Sequence, residues 1–280
     1  MTAATILTQP MRDYLAIKAL SGGLVNTLLQ FSPMHAREEQ QAKSQDSSND
    51  ADVGTAIHDV FLEGVDRIEA IDPAKYLSDS GAIPKGWTNK AIRAARDQAR
   101  ANGKVPLLAD KVQQVMGAVR ALVAFVAKTE IAGFKDDGKP EQTITWNDCG
   151  VFCKARPDWL SRKWHVSLKT TDGSAKPESW IRRQLSPMGY DTSLMFYERG
   201  LKFHGLTAEP RILVVEQNPP YGCAVIGLAP SKREYAEQAV EEAIRTWAEC
   251  EQSGIWPCYS TQTYFAEIQG YELAELETKL

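Results

Sequence analysis

The chain has 280 residues, 43% apolar and 24% charged, with a net charge of −4 and five cysteines. This is ordinary globular composition, and it excludes collagen-like, disordered and disulfide-scaffold chains. No apolar run reaches the roughly 18 residues of a membrane span, and Met1 to Tyr14 lacks the basic-then-apolar pattern of a secretory leader.

Met11 to Gln30 reads as helix interrupted at Ser21-Gly22-Gly23. Ser32-Pro33 then supplies a cap and a first-turn proline for a short helix through Glu39. Gln40 to Asp52 is polar and reads as a loop. Gly54 to Gly64 places Ile57, Val60 and Phe61 at helical spacing. Asp72 to Trp87 is irregular, and two helices follow near Asn89 to Asn102 and Ala109 to Lys128. After a charged turn from Gly133 to Pro140 the period changes. Strands are expected at Gln142 to Trp146, Gly150 to Arg156 and Trp164 to Lys169. Helices follow at Pro177 to Leu185 and Gly189 to Arg199, then a strand pair at Arg211 to Gln217 and Tyr221 to Leu228, then a long helix from Ser231 to Glu251. This order predicts an α/β protein. Residues 1–140 form an N-terminal helical lobe and 141–280 a sheet-bearing core, together one continuous domain.

The cysteines are Cys149, Cys153, Cys223, Cys250 and Cys258. Cys149-x3-Cys153 is a loose metal spacing, but no second close pair with histidines completes a zinc site. Reduced thiols of a cytoplasmic protein are expected. Charge is unevenly spread. Lys154 to Arg183 contains eight basic and three acidic residues, so it carries +5 and leaves −9 for the remainder. Such a segment is either a phosphate-facing surface or a solvated face.

Within it, Arg156-Pro157-Asp158 ends one strand, and Val166-Ser167-Leu168-Lys169 brings a lysine in on the next. Alternation sets Ser167 and Lys169 on one face and Leu168 on the other. Phosphodiester hydrolysis needs acids to hold a divalent cation and a cation near the scissile phosphate. Asp158 and Lys169 meet part of that need, and His58 on the upstream helix is a further ligand candidate.

These segments, in this order, resemble the PD-(D/E)XK nucleases, and among them the exonuclease VIII (RecE-like) and lambda-exonuclease-type recombination nucleases. Ser32-Pro33 resembles the family's opening, and Gly54-Thr55-Ala56-Ile57-His58 its histidine helix. Glu141 leads into the core, Cys153 to Asp158 carries the "PD" element, and Val166 to Thr171 resembles the "(D/E)xK-T-T" element. Tyr190 to Tyr197 resembles the helix that follows. The resemblance implies a restriction-endonuclease-like central mixed sheet flanked by helices. It implies an Mg²⁺- or Mn²⁺-dependent exodeoxyribonuclease acting on double-stranded DNA ends in phage or prophage recombination. A single-strand annealing protein would be the partner, and a trimeric or tetrameric ring the assembly. His58, Asp158 and Glu141 would hold metal, and Lys169 would orient the attacking water. Lys154, Arg156, Lys176, Arg182 and Arg183 would contact phosphates. Tyr190 and Tyr197 share a helix face that is either core or part of the DNA groove.

Two positions depart from the pattern. Ser167 stands where the second metal acid belongs, and Ser193 where the helix carries glutamine. Three explanations fit Ser167: a decayed nuclease that still binds DNA, an acid supplied by Glu141, Asp172 or Glu216, or a serine introduced to trap a state. The alternatives to catalysis are thus a nuclease-fold protein that binds DNA ends or a recombination partner, and an interaction module without a nucleic-acid role.

Overall fold

The computed structural model describes residues 4–42, 49–77 and 81–268. The chain begins with β1 (Thr5–Thr8), α1 (Met11–Ala16), β2 (Leu20–Ser21), α2 (Gly22–Gln30) and α3 (Pro33–Gln41). Ser21 and Ser32 cap α2 and α3 by accepting from the amides of Leu24 and His35. Part of the expected polar loop lies outside the described residues, and α4 (Asn49–His58) starts within its predicted span. A π-helical turn, Asp59–Glu63, extends α4 and closes on Gly64, whose φ of 68° suits glycine. Then come β3 (Ile68–Ile71), α5 (Lys90–Ala101), β4 (Val105–Leu108) and α6 (Ala109–Val126).

The sheet-rich part holds β5 (Lys139–Pro140), β6 (Gln142–Asp148), β7 (Val151–Ala155), β8 (Trp159–Leu160) and β9 (Trp164–Thr171). It continues with α7 (Pro177–Trp180), a second π-helical turn at Ile181–Leu185, α8 (Tyr190–Phe203), β10 (Glu209–Glu216), β11 (Cys223–Ile226) and α9 (Pro230–Ser253). One sheet has the order β1-β6-β7-β2, a second β11-β10-β9-β8-β5, and β3 and β4 pair in a third. The second is mixed: β9 runs parallel to β10 and antiparallel to β8.

That mixed sheet is covered on both faces, as the unbroken apolar run Ile212 to Val215 of its β10 strand requires. Val166, Leu168, Leu213 and Val215 pack in one core with Ile57, Phe61 and Leu122. Ile212, Val214 and Ile226 pack in another with Met195, Leu201, Val240 and Trp247. Each fully buried side chain of this kind stabilises the fold by about 1.5–3 kcal/mol. Both cores draw on residues from either side of position 140. The first strand, β1, pairs with β6, and α2 joins the core of α8 and α9. At Gly200 an added Cβ would lie 2.6 Å from the Trp146 ring, so this helix approaches the sheet only without a side chain there. No helix among the described residues is long and apolar enough to cross a membrane.

His165 on β9 is fully buried, and neither ring nitrogen has a hydrogen-bond partner among the described residues. Burial, with the charges of Arg233 and Arg211, pushes its pKa down to about 3. The stability it contributes is therefore complete above the unfolded value of 6.5 and is lost as pH falls toward 3. Urea titrations of the wild-type chain should lose about 2 kcal/mol more than those of His165→Leu between about pH 6.5 and about pH 5. Parallel pH profiles for the two proteins would contradict this account of the buried imidazole.

Candidate active site

Two strands change sheet at the same place. The chain leaves β5 in the mixed sheet and enters β6 in the other through Glu141, a non-glycine residue at φ 54°. It returns from β7 to β8 through Arg156, Pro157 and Asp158. A left-handed residue without glycine is uncommon and marks a position fixed by its surroundings. Here the surroundings are the amide of Glu141, which donates to the carbonyl of Asp158 at 3.2 Å, and its carboxylate, held by Arg156. Register extends the row. Pro140 pairs with Trp159 and Trp159 with Val166, so one step further sets Glu141, Asp158 and Ser167 side by side across three strands.

The end of α4 delivers the imidazole to this row. His58 Nε2 lies 3.1 Å from Glu141 Oε1 and 3.9 Å from Asp158 Oδ1. Nδ1 lies 3.6 Å from Glu63 Oε1, which the π-helical turn brings back toward the ring. Burial disfavours protonation of His58, but the Glu141 hydrogen bond and the charges of Asp158, Glu141 and Glu63 outweigh it and raise its pKa. Burial pushes the Glu141 carboxyl up, but its bonds to His58 and Arg156 prevail and hold it below the ordinary value. Asp158 accepts from the amide of Leu168 at 2.7 Å, which ties it to the strand that carries Lys169.

One ligand atom each from His58, Glu141 and Asp158 fall within 4.8 Å of one another. Imidazole nitrogen and carboxylate oxygens suit Mg²⁺ or Mn²⁺. A second grouping, His58 with Asp59 and Glu63, is equally tight. There, however, Arg67 grips Asp59 through two nitrogens and lies 3.5 Å from Glu63, so a guanidinium already supplies the positive charge. Glu63, Asp59 and Arg67 carried no signal as a group in the sequence, because only the π-helical turn folds them around His58.

Lys169 makes no ion pair among the described residues. Its Nζ stands 5.2 Å from the ring centroid of Tyr190, at the wall of an adjacent cavity. Ser167 is buried in mid-strand. Of the other acids considered, Asp172 lines the cavity instead, and Glu216 accepts from the amides of Ala175 and Gly222 and braces two loops. Glu141 is the one brought to His58 and Asp158.

The basic segment divides. Lys176, Arg182 and Arg183 are exposed and form no ion pair among the described residues. Lys154 and Arg156, expected among the phosphate contacts, turn inward instead. Lys154 donates to the carbonyls of Tyr14 and Ile17 at 3.0 and 2.7 Å, and burial lowers its pKa. Arg156 donates to Glu141, to the carbonyl of Gln9 at 2.9 Å and to Thr143 Oγ1 at 3.1 Å. Both lie in or just past β7, where neighbouring backbone offers acceptors and solvent does not. Tyr190 stacks on Trp180 with ring centroids 5.7 Å apart. Tyr197 packs 6.5 Å from the His165 ring, and burial first, then the charges of Tyr14, Asp158 and Glu141, raise its phenol pKa. Ser193 accepts a hydrogen bond from Asn26 of α2.

The profile of a PDDEXK-like domain of unknown function, DUF3799, matches residues 17–267. The chain belongs to this PDDEXK-like family. No curated protein matches the sequence. Among solved structures, a protein of Eubacterium rectale named as a candidate exonuclease is similar at a TM-score of 0.57 and 11% identity, over 95% of this chain and 98% of that one. An alkaline exonuclease of Laribacter hongkongensis gives a TM-score of 0.33 at 11% identity, over 73% and 96% of the two chains. The first likeness agrees with the mixed α/β, nuclease-type fold of the PDDEXK-like domain.

Arg156 and Glu141 form a buried pair at this candidate site, with side-chain exposures of 8% and 15%. Removing one partner of such a pair leaves the other charge uncompensated. Arg156→Met should cost about 3 kcal/mol in chemical denaturation, whereas Arg182→Met on the exposed segment should stay within about 0.5 kcal/mol. Equal effects of the two substitutions would show that the Arg156 pair carries no stability.

Proposed function

We propose that this chain is a divalent-metal-dependent deoxyribonuclease that degrades double-stranded DNA from its ends. The observation that supports it is the gathering of His58, Glu141 and Asp158 beside the strand that carries Lys169. His58, Glu141 and Asp158 would hold Mg²⁺ or Mn²⁺, and the ion, when bound, would act as a Lewis acid on the scissile phosphate and lower the pKa of water. Arg156 keeps the Glu141 carboxylate aimed at the site, and the Leu168 amide does the same for Asp158. Lys169 is free to orient the attacking water and to stabilise charge that develops on the phosphate. Lys176, Arg182 and Arg183, exposed on the segment after β9, would take neighbouring phosphates. Preference for ends, a recombination role in a phage-type setting, a single-strand annealing partner and a ring assembly rest on the motif resemblance to recombination exonucleases.

Ser167 motivates a second reading, a protein that grips DNA ends without cutting them. By register the residue stands third in the row with Glu141 and Asp158, where a carboxylate would add a strong ligand. Incubation of linear and circular duplexes with Mg²⁺ or Mn²⁺ separates the readings. We expect linear duplex to be consumed and closed circles spared. Lys169→Ala should slow the reaction by roughly 100-fold. Ser167→Asp should tighten Mn²⁺ binding roughly tenfold and raise the rate. Intact duplex with either metal, alongside salt-sensitive binding, would leave only the end-gripping reading.

A further inference from the structure

Beyond the carboxylate cluster, Lys169 forms one wall of a cavity of about 330 Å³ between the end of β9, the start of α8 and the second π-helical turn. We propose that this cavity is a nucleoside pocket for the unit next to the phosphate being cut, an assignment that rests on the nuclease reading above. Its volume lies at the low end of the roughly 300–1,000 Å³ of small-ligand sites, which suits one nucleoside rather than a base pair.

The lining matches a base and sugar better than an anion or an apolar ligand. Tyr190 offers an aromatic wall, and it is backed by the buried Trp180 ring, nearly parallel at 12°. Gln217 donates Nε2 to Thr170 Oγ1 at 3.0 Å, which fixes the amide and leaves its carbonyl oxygen as an acceptor. Gln184 and Asp172 also line the cavity, and neither side chain has a hydrogen-bond partner among the described residues. Two amides and a carboxylate can read the donors and acceptors of a base edge or a sugar hydroxyl. Free phosphate would gain nothing from the aromatic wall and would be repelled by Asp172. The phosphate of a nucleotide has its own cation in Lys169. Arg183 lies close to the loop after Asp172, with its guanidinium 3.9 Å from where a Cβ on Gly173 would sit. Gln184 belongs to a π-helical turn, a distortion that re-aims side chains and recurs at binding sites.

The test uses the full chain with the four deoxynucleoside monophosphates, and inorganic phosphate as control. Binding is followed by tryptophan fluorescence, and inhibition by digestion of linear duplex. We expect the mononucleotides to bind and to inhibit competitively, and phosphate to bind far more weakly. Gln184→Ala and Gln217→Ala should each weaken mononucleotide binding about fivefold or more and raise KM more than they lower kcat. Mn²⁺ affinity, read by electron paramagnetic resonance, should stay unchanged. The two glutamines sit on different elements, so a folding defect in one variant leaves the other decisive. Phosphate binding as tightly as the mononucleotides, or both variants binding them like the wild type, would overturn the pocket while leaving cleavage intact. Glutamine-dependent mononucleotide binding by a chain that cuts no DNA would keep the pocket and remove the cleavage reading.

Discussion

The Arg156–Glu141 pair sits where two strands pass from one sheet to the other, and the rest of the site is arranged around it. Glu141 stands at a left-handed backbone position, and its largely buried carboxylate requires a fixed counter-charge. Arg156 supplies that charge and, through the same guanidinium, binds the carbonyl of Gln9 and the hydroxyl of Thr143. The N-terminal arm, the β5–β6 crossing and the β7–β8 crossing are thereby joined at one point. Asp158 follows Arg156 by two residues, so whatever fixes the arginine also fixes the start of β8.

Charge balance explains why this point suits a cation. Glu63, Glu141 and Asp158 surround His58, while Arg156 and Arg67 are turned toward Glu141 and Asp59. A buried imidazole ordinarily resists protonation, yet these carboxylates reverse the balance and raise its pKa. A site that raises the pKa of a buried histidine holds an excess of negative charge, and DNA would add more. A bound divalent ion answers both, since it neutralises the carboxylates and attracts the phosphate. Lys169 lies outside the carboxylate group, over Tyr190, and no carboxylate among the described residues claims its charge.

The parts of the fold that the sequence made legible are those with a strong local period. Trp164 to Lys169 alternates cleanly and is β9, two residues longer than expected because Thr170 and Thr171 continue pairing with β10. The helix of Ser231 to Glu251 is α9, with Pro230 in its first turn. Short strands left no such trace. Thr5–Thr8 and Val105–Leu108 are four residues each, and only their partners, β6 and β3, define them as strands. The same limit governed the side chains. His58, Glu141 and Asp158 were legible as a motif spread over about a hundred residues. Lys154 and Arg156 looked like surface cations because net charge along a segment says nothing of which backbone carbonyls lie beneath it. The two π-helical turns carry no signature at all, although one brings Glu63 to His58 and the other carries Gln184 to the cavity.

Ser167 can be understood as a trade between ligand strength and the stability of the metal-free protein. The row across β5, β8 and β9 already holds two carboxylates, compensated by Arg156, His58 and the Leu168 amide. An aspartate at 167 would be buried beside Asp158 with no cation of its own, since Lys169 points to the cavity. An unpaired buried charge is among the costliest changes a fold can accept, and like charges side by side add to that cost. Serine removes the repulsion and lets the site fold before metal arrives. If a cation binds here as proposed, the corresponding loss would fall on its affinity, which would then depend on Glu141 more heavily than in a row with three acids. On that reading the Arg156 contact would have a role beyond stability, because the carboxylate it holds would be the one offsetting the missing acid.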